Sequence, residues 1–347
     1  MLKKKLTLFM LLLVVTAIIA ACGNGGDSEQ ASGEPKMPSG TINGVIQWGS
    51  GGSTDTLSRG IANLAEDHLE GASIVVTNMT GATGAIATEH VYNQPSDGQT
   101  LLFAAENPTI YGVLDISERS FEDFYPINIM GRAVPVIVVP TNSVFETVED
   151  LFQFAEENPG NLSMGSTGPG GVPHVISSMI SAEKDLIFNM VPFDGDGPAL
   201  TALLGGHIDF SVAVLSAVSE YERSGDVRIL AAVNNEPLEE IPNVPALGDI
   251  YPEFNQYLPW GPFFGVWVKQ DTPDAVKEHL VDAFDKAHQD QEYQDLLASL
   301  GAIPMGIHGD EAVEFWKQWQ SVTAWILQDS GEATVSPEEL NIPRVGE

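Results

Sequence analysis

From residue 41 onward, short apolar runs alternate with segments whose apolar residues recur at helical spacing. Residues 41–48 (TINGVIQW) have the pattern of a strand, and Leu57, Ile61 and Leu64 then follow one face of a helix. The same patterns predict strands at residues 72–77, 100–105, 134–139, 162–165, 188–191, 208–213 and 227–233, and helices at residues 85–92, 148–157, 173–182, 198–204 and 217–223. This alternation predicts parallel sheets with crossover helices, an α/β architecture.

Two helix starts carry explicit signals. Thr147 and Asp150 have the spacing of a capping box for the helix that follows them. Thr272 is placed to cap a helix that Pro273 opens, and a further amphipathic helix is predicted at residues 312–327.

The first residues have the pattern of an export signal. Three lysines precede an apolar run at residues 6–21, which is shorter than the ~20 residues of a transmembrane helix. Small residues end the run directly before Cys22, and this pattern resembles the lipobox of bacterial lipoproteins. We therefore predict a lipoprotein signal peptide at residues 1–21 and lipidation of Cys22. An incidental cysteine and an uncleaved anchor are the alternatives.

Cys22 is the only cysteine, which excludes an intramolecular disulfide and a CxxC redox pair. Residues 22–40 are rich in Gly, Ser, Pro, Asp and Glu, and we predict a flexible spacer there. The seven histidines are dispersed without metal-binding spacing, so neither a metal nor another cofactor is expected.

The chain is strongly acidic. Its formal net charge is -33, and removal of a signal peptide that holds three lysines and no acid would take it to about -36. Such a surface repels phosphate backbones, so the sequence predicts no nucleic-acid partner. The acids are spread along the chain, as is typical of a solvated surface.

Two glycine-rich loops each lie between a predicted strand and a predicted helix, at residues 49–55 and 163–174. Glycines let the backbone approach a ligand, and the N–H groups of a helix N-terminus suit a carboxylate. Two such loops on two α/β halves would close on one ligand. The alternative for the first loop is a structural turn with Ser53 or Asp55 as the N-cap.

Catalytic and nucleotide-binding patterns are missing from the sequence. Neither glycine loop matches a P-loop or a dinucleotide fingerprint. Ser166, His174 and Asp194 have the residue types of a hydrolase, but no GxSxG motif surrounds Ser166. We therefore do not expect an enzyme.

Motifs along most of residues 41–330 resemble the substrate-binding receptors of tripartite tricarboxylate transporters, the Bug-type family. The segments that carry the resemblance are, in chain order, GGSTD at 51–55 followed by Arg59, NMTGATG at 78–84, SDGQTL at 96–101, NPG at 158–160, GS at 165–166 with His174, PF at 192–193 with GPA at 197–199, LGGHID at 204–209, PNVP at 242–245 and ASLGA at 298–302.

The resemblance implies a periplasmic-binding-protein-like fold, in which two α/β lobes joined by two hinge crossings close on a ligand in the cleft between them. The implied organisation is lobe I at residues 41–130 plus 258–330, lobe II at residues 131–257 and a C-terminal extension at residues 331–347. The crossings are expected near residues 128–132 and 256–261.

The resemblance also implies ligand-binding residues in the two loops. These are Trp48, Ser50, Gly51, Gly52, Ser53, Thr54 and Asp55 from the first lobe, and Ser166, Thr167, Gly168, Gly170, His174 and Asp194 from the second. Two positions depart from the family pattern, because Gly171 replaces a common serine and Asp194 a frequent lysine. Asp194 would disfavour a second ligand carboxylate or favour an amine, and an exposed surface acid is the alternative.

The expected function is that of a solute-binding receptor that captures a small carboxylate by lobe closure for a tripartite tricarboxylate-type permease. We expect a monomer that is extracytoplasmic and lipid-anchored to the outer face of the cell membrane. The alternatives are a ligand-sensing lipoprotein that presents its bound state to a signalling partner, and a degenerate hydrolase.

Overall fold

A computed structural model describes residues 36–193 and 195–345 of the chain. The strands are β1 (Gly40–Ile46), β2 (Ala72–Asn78), β3 (Thr100–Ala105), β4 (Phe124–Ala133), β5 (Pro135–Pro140), β6 (Ser163–Ser166), β7 (Asn189–Pro192), β8 (Phe210–Val214), β9 (Val227–Ala232), β10 (Phe263–Lys269) and β11 (Ala302–Ile307). The predicted signal peptide and Cys22 lie outside the described residues.

Helices flank these strands. They are α1 (Ser53–Glu66), α2 (Ala85–Tyr92), α3 (Val148–Glu157), α4 (Val172–Lys184), α5 (Asp196–Leu204), α6 (Leu215–Ser224), α7 (Leu247–Ile250), α8 (Asp274–Gln289), α9 (Gln291–Ser299) and α10 (Gly309–Asp329), with short 3-10 turns at Ala82–Gly84, Asn107–Thr109, Phe121–Asp123 and Pro252–Gln256. Within the described part of the chain, no helix is both long enough and apolar enough to cross a bilayer.

The strands form two mixed sheets, ordered β11-β4-β10-β3-β1-β2 and β7-β6-β8-β5-β9. We call each sheet with its own helices the first and the second lobe. The predicted α/β fold is confirmed, and the predicted parallel pairing is correct for β1 to β3 and for β6 to β8. It is wrong elsewhere, since β10 runs antiparallel to β3 and β4, and β5 runs antiparallel to β8 and β9. The reversed strands are the ones at which the chain changes sheets: β5 is the first strand of the second sheet, and β10 is the first strand after the chain returns to the first sheet.

The outward passage between the sheets is very short. Ala133 still pairs with Ala302 in the first sheet, and Pro135 already pairs with Val214 in the second, so only Val134 separates them. The expected crossing near residues 128–132 therefore falls inside β4, where Ile129, Gly131 and Arg132 pair with both β10 and β11. The return passage ends at β10.

Helix α10 packs against this return passage. The indole N–H of Trp319 donates to the Gly261 carbonyl at 2.9 Å, and that of Trp260 donates to the Thr323 hydroxyl at 2.9 Å. The side chains of Trp260, Trp319 and Thr323 are buried, and the two tryptophans belong to an apolar core that draws on both lobes. The helix contains the predicted residues 312–327, which confirms that prediction.

The two predicted helix starts have different outcomes. The Thr147 hydroxyl accepts the Asp150 N–H at 3.2 Å, and the Asp150 carboxylate accepts the Thr147 N–H at 3.0 Å, which confirms the capping box. The prediction for Thr272 is wrong, because Pro273 has extended backbone angles and is itself the N-cap of α8. The Thr272 hydroxyl is buried without a hydrogen-bond partner.

Candidate ligand-binding cleft

A cavity of about 550 Å³ lies between the two lobes, and we call it the cleft cavity. Its volume is in the range of small-molecule sites. Hydrogen bonds join the lobes beside it: the hydroxyl oxygens of Ser53 and Ser216 are 3.0 Å apart, and the Asn107 amide donates to the Gly170 carbonyl at 3.3 Å. The lobes are therefore in contact beside the cleft cavity.

Three helices with a glycine at the N-cap have their N-termini in the wall of the cleft cavity: α1 from the first lobe, and α4 and α5 from the second. Their N-cap residues are Gly52, Gly171 and Gly195, and none of the three helices has a side-chain cap. A glycine cannot supply a capping oxygen, so the N–H groups of each first turn have no partner from the cap. Three positive dipole ends from both lobes suit an anionic group.

A polar network behind the first loop holds it in place. The Asp55 carboxylate accepts the Gly51 N–H at 2.9 Å and pairs with Arg59 at 2.9 Å, while Asn78 donates to Asp55 at 2.8 Å and to the Trp48 carbonyl at 2.7 Å. Burial raises the pKa of Asp55, but the hydrogen bonds from Gly51 and Asn78 and the charge of Arg59 outweigh it and leave that pKa below its ordinary value. The GGSTD motif thus includes the residue that fixes its own loop.

The second loop is held in a similar way. The Ser166 hydroxyl accepts the Gly168 N–H at 3.2 Å, and Nδ1 of His174 accepts the Gly170 N–H at 3.0 Å. Both glycines have positive φ, +95° and +75°, which favours glycine at these positions. Nε2 of His174 lies 3.5 Å from the Glu332 carboxylate, so the histidine also contacts the C-terminal segment.

The structure divides the predicted ligand-binding residues into two groups. The cleft cavity is lined by Trp48, Ser50, Gly51, Gly52, Ser53, Thr54 and Thr167. The lining does not include Asp55, Ser166, Gly168, Gly170 or His174, which support the two loops from behind. Asp194 lies outside the described residues.

The glycine at position 171 has a steric reason. A Cβ there would lie 2.2 Å from Oγ1 of Thr167. The Thr167 hydroxyl therefore fills the space that a serine side chain at Gly171 would need. Thr167 therefore supplies a hydroxyl group in this part of the wall of the cleft cavity.

The wall also contains polar residues that were not predicted, and Glu106, Asn107 and Asp196 are among them. Glu106 is 3% exposed, and burial raises its pKa to about 8. Asp196, in the first turn of α5, has a pKa raised to about 6 by burial. The available signal for Glu106 was an acid placed directly after the apolar run LLFAA, at the strand end where α/β sheets bind ligands. Among the described residues, no three His, Cys, Asp or Glu side chains are grouped as a metal site would require.

The chain as a whole is similar to known proteins. The chain is 27% identical to Protein BugT of Bordetella pertussis over 325 residues, which is 92% of this chain and 97% of BugT. It resembles the structure of a TctC solute-binding protein from Polaromonas, with 25% identity, a TM-score of 0.68 and coverage of 84% of this chain and 99% of that chain. Its fold is also that of MatC from Rhodopseudomonas palustris with bound malate, with 22% identity, a TM-score of 0.74 and coverage of 85% and 100%.

The family itself is shown by a match over most of the chain. The model of the tripartite tricarboxylate transporter family receptor matches residues 57–330. The resemblance deduced from the motifs is thereby confirmed, and with it the class of extracytoplasmic solute-binding proteins. The chain belongs to the tripartite tricarboxylate transporter receptor family and is a Bug-type receptor of that family.

Proposed function

We propose that this receptor binds the carboxylate group of a small organic ligand in the cleft cavity and delivers the ligand to a tripartite tricarboxylate-type permease. The observation that carries the proposal is the convergence of the α1, α4 and α5 N-termini on one cavity. In water-poor surroundings such N–H groups bind an anion without a lysine or arginine. The malate bound by MatC is a small carboxylate, which supports the ligand class.

The same arrangement gives a mechanism of capture. A ligand carboxylate that accepts hydrogen bonds from N–H groups of α1 and of α4 or α5 binds the closed protein more tightly than the open one. Only closure brings the N–H groups of the two lobes to the same ligand. The ligand therefore shifts the population toward closure. The contacts Ser53–Ser216 and Asn107–Gly170 are available to hold the lobes together once they have closed. We propose binding without turnover of the ligand.

We further propose that the receptor works as a monomer held to the outer face of the cell membrane. Acylated Cys22 would be the anchor after removal of residues 1–21, and residues 22–40 would be the spacer. Growth with radiolabelled palmitate tests this part. The wild-type chain should incorporate label, and Cys22→Ser should not; equal labelling of both would refute the anchor.

Ligand-dependent stabilisation tests the receptor function. A carboxylate present at 100 times its Kd should raise the free energy of unfolding by about 2.7 kcal/mol and hence the melting temperature. Ser53→Phe would place a bulky ring at the N-terminus of α1, in the wall of the cleft cavity, and should abolish the shift in melting temperature. Ser299→Phe, at the exposed end of α9, is the matched control and should keep it.

Two outcomes would contradict the proposal. A carboxylate that binds equally well to both variants would bind elsewhere on the protein. A panel of small carboxylates without any stabilising member would remove the ligand class altogether.

A further inference from the structure

The wall of the cleft cavity contains a buried acid and a buried amide directly after β3. Glu106 is 3% exposed and Asn107 is 1% exposed, and both line the cavity. The Asn107 amide nitrogen donates to Oε1 of Glu106 at 3.3 Å and to the Gly170 carbonyl at 3.3 Å. The Glu106 Oε1 atom and the Gly170 carbonyl are both acceptors, so the NH2 group of the Asn107 amide faces them. The amide oxygen, Oδ1, then faces away from both.

Each of these two residues has a buried side-chain oxygen without a hydrogen-bond partner, and both oxygens are acceptors when Glu106 is ionised. Oε2 of Glu106 and Oδ1 of Asn107 are buried and make no hydrogen bond. Nearby Tyr111 does not serve them, since its hydroxyl donates to the Thr83 carbonyl at 2.8 Å and accepts from Gln47 at 2.6 Å. Buried acceptors without a partner are rare in folded proteins and call for a donor group.

The charges around the cavity point to the same kind of group. The titratable side chains that line it in the described part of the chain are Glu106, Asp196 and Tyr221, with no lysine, arginine or histidine among them. Arg59, on α1 behind the first loop, is already paired with Asp55. A ligand with a second carboxylate would meet two acids and no base, whereas a ligand with a cationic group would stabilise the ionised, negatively charged form of both acids.

We propose that Glu106 and Asn107 form an ammonium subsite, and that the ligand is a small amino-carboxylate whose protonated amine binds there. This inference rests on the proposed function, because the helix N-termini of the same cavity would hold the carboxylate end. An ammonium group has three N–H donors and no acceptor, so it supplies both Oε2 of Glu106 and Oδ1 of Asn107. A second carboxylate or a hydroxyl-only ligand would not supply both.

Separation of the two lobes gives a ligand access to this subsite. Asn107 and Gly170 belong to different lobes, so the hydrogen bond between them breaks when the lobes separate. Opening then uncovers the wall at Glu106, and closure over a bound ligand buries it again. In the empty cleft, the raised pKa of Glu106 leaves its carboxyl largely protonated at pH 7. A bound ammonium favours the ionised carboxylate, so binding should release a proton.

Calorimetry with matched ligand pairs tests the subsite at pH 7. The probes are alanine and lactate, aspartate and malate, and phenylalanine and phenyllactate, which differ within each pair by an ammonium or a hydroxyl group. The amino member of the pair that fits the cavity should bind at least about tenfold more tightly. Titrations in two buffers of different ionisation enthalpy should show close to one proton released per amino ligand.

Variants identify the residue responsible. Glu106→Gln removes the charge at nearly constant size, and it should reduce the amino-over-hydroxy preference by about tenfold and abolish the proton release. Glu70→Gln, at an exposed position just before β2, is the matched control and should change neither quantity. Melting of each variant checks that it is folded.

The outcomes separate this inference from the proposed function. Equal or tighter binding of the hydroxy members, or an unchanged preference in Glu106→Gln, would overturn the ammonium subsite and leave a carboxylate receptor in place. Failure of all six compounds to bind would overturn both.

Discussion

Glu106 should make the empty receptor less stable as the pH rises. It is an almost fully buried carboxyl whose pKa is raised to about 8 from an ordinary value of 4.5. Between these two values the folded chain holds a proton that the unfolded chain has lost. For a group that binds more protons when folded, stability is complete below the unfolded pKa and is lost as the pH rises toward the folded pKa.

The size of the effect follows from the two pKa values. Each pKa unit corresponds to about 1.36 kcal/mol, so Glu106 should cost roughly 1 kcal/mol at pH 5 and about 3 kcal/mol at pH 7. Glu106→Gln has no proton to lose. The difference in unfolding free energy between Glu106→Gln and the wild type should therefore grow by about 2.5 kcal/mol between pH 5 and pH 7, whatever constant offset the buried amide adds.

Urea unfolding followed by tryptophan fluorescence at pH 5, 6, 7 and 8 measures this difference. The dependence on urea concentration should be equal for the two proteins, so that midpoints convert directly to free energies. Glu70→Gln should follow the wild type at every pH. Stability curves that run parallel for the wild type and Glu106→Gln would refute the reasoning, because Glu106 would then titrate at an ordinary pKa.

Three further substitutions probe the loops. A Cβ at Gly84 would lie 2.0 Å from Cγ of Gln47, and the backbone φ of Gly84 is +87°. Gly84→Ala should therefore lower the free energy of unfolding, measured in urea, by about 2–4 kcal/mol. A loss below ~0.5 kcal/mol would contradict the close packing of Gly84 against Gln47. Gly171→Ser should displace the Thr167 hydroxyl and weaken ligand binding severalfold, as measured by calorimetry. The melting temperature should stay within a few degrees of the wild-type value. An unchanged affinity would show that Thr167 does not contact the ligand. Asp55→Asn should lower the free energy of unfolding by about 1–3 kcal/mol at pH 7, because it removes the ion pair with Arg59 and weakens the hydrogen bond from the Gly51 N–H. The difference from the wild type should vanish as the pH falls through the lowered pKa of Asp55. A difference that persists in acid would contradict this role of the Asp55 carboxylate.

The sequence was informative where one local pattern decides the structure. The loops at residues 49–55 and 163–174 were predictable because glycine runs between an apolar run and a helical repeat allow few backbone arrangements. The capping box of Thr147 and Asp150 is a contact within one turn and was confirmed.

Long-range pairing explains the main errors in the fold. β4 contains Pro126, Asn128 and Gly131, which weaken any strand pattern, and it is a strand because β10 and β11 pair with its two sides. Neither partner is close in sequence. The antiparallel direction of β10 likewise depends on where the chain re-joins the first sheet, which no local pattern encodes.

The site was predictable in position and not in its chemistry. The helix N-termini follow from the glycine loops, whereas Glu106 is a single acid with no spacing partner in the sequence. Its importance arises only when β3 ends inside the cavity and leaves Oε2 without a donor. Asp55 is the converse case, because its motif suggests a ligand contact and its side chain supports the loop.

A crystal structure of the receptor with a carboxylate that stabilises it tests the central claim most directly. We expect the carboxylate in the cleft cavity, with its oxygens within hydrogen-bonding distance of backbone N–H groups from the first turn of α1 and from α4 or α5. A ligand bound outside the cleft cavity, or one inside it with its carboxylate away from the N-termini of α1, α4 and α5, would contradict this mode of binding.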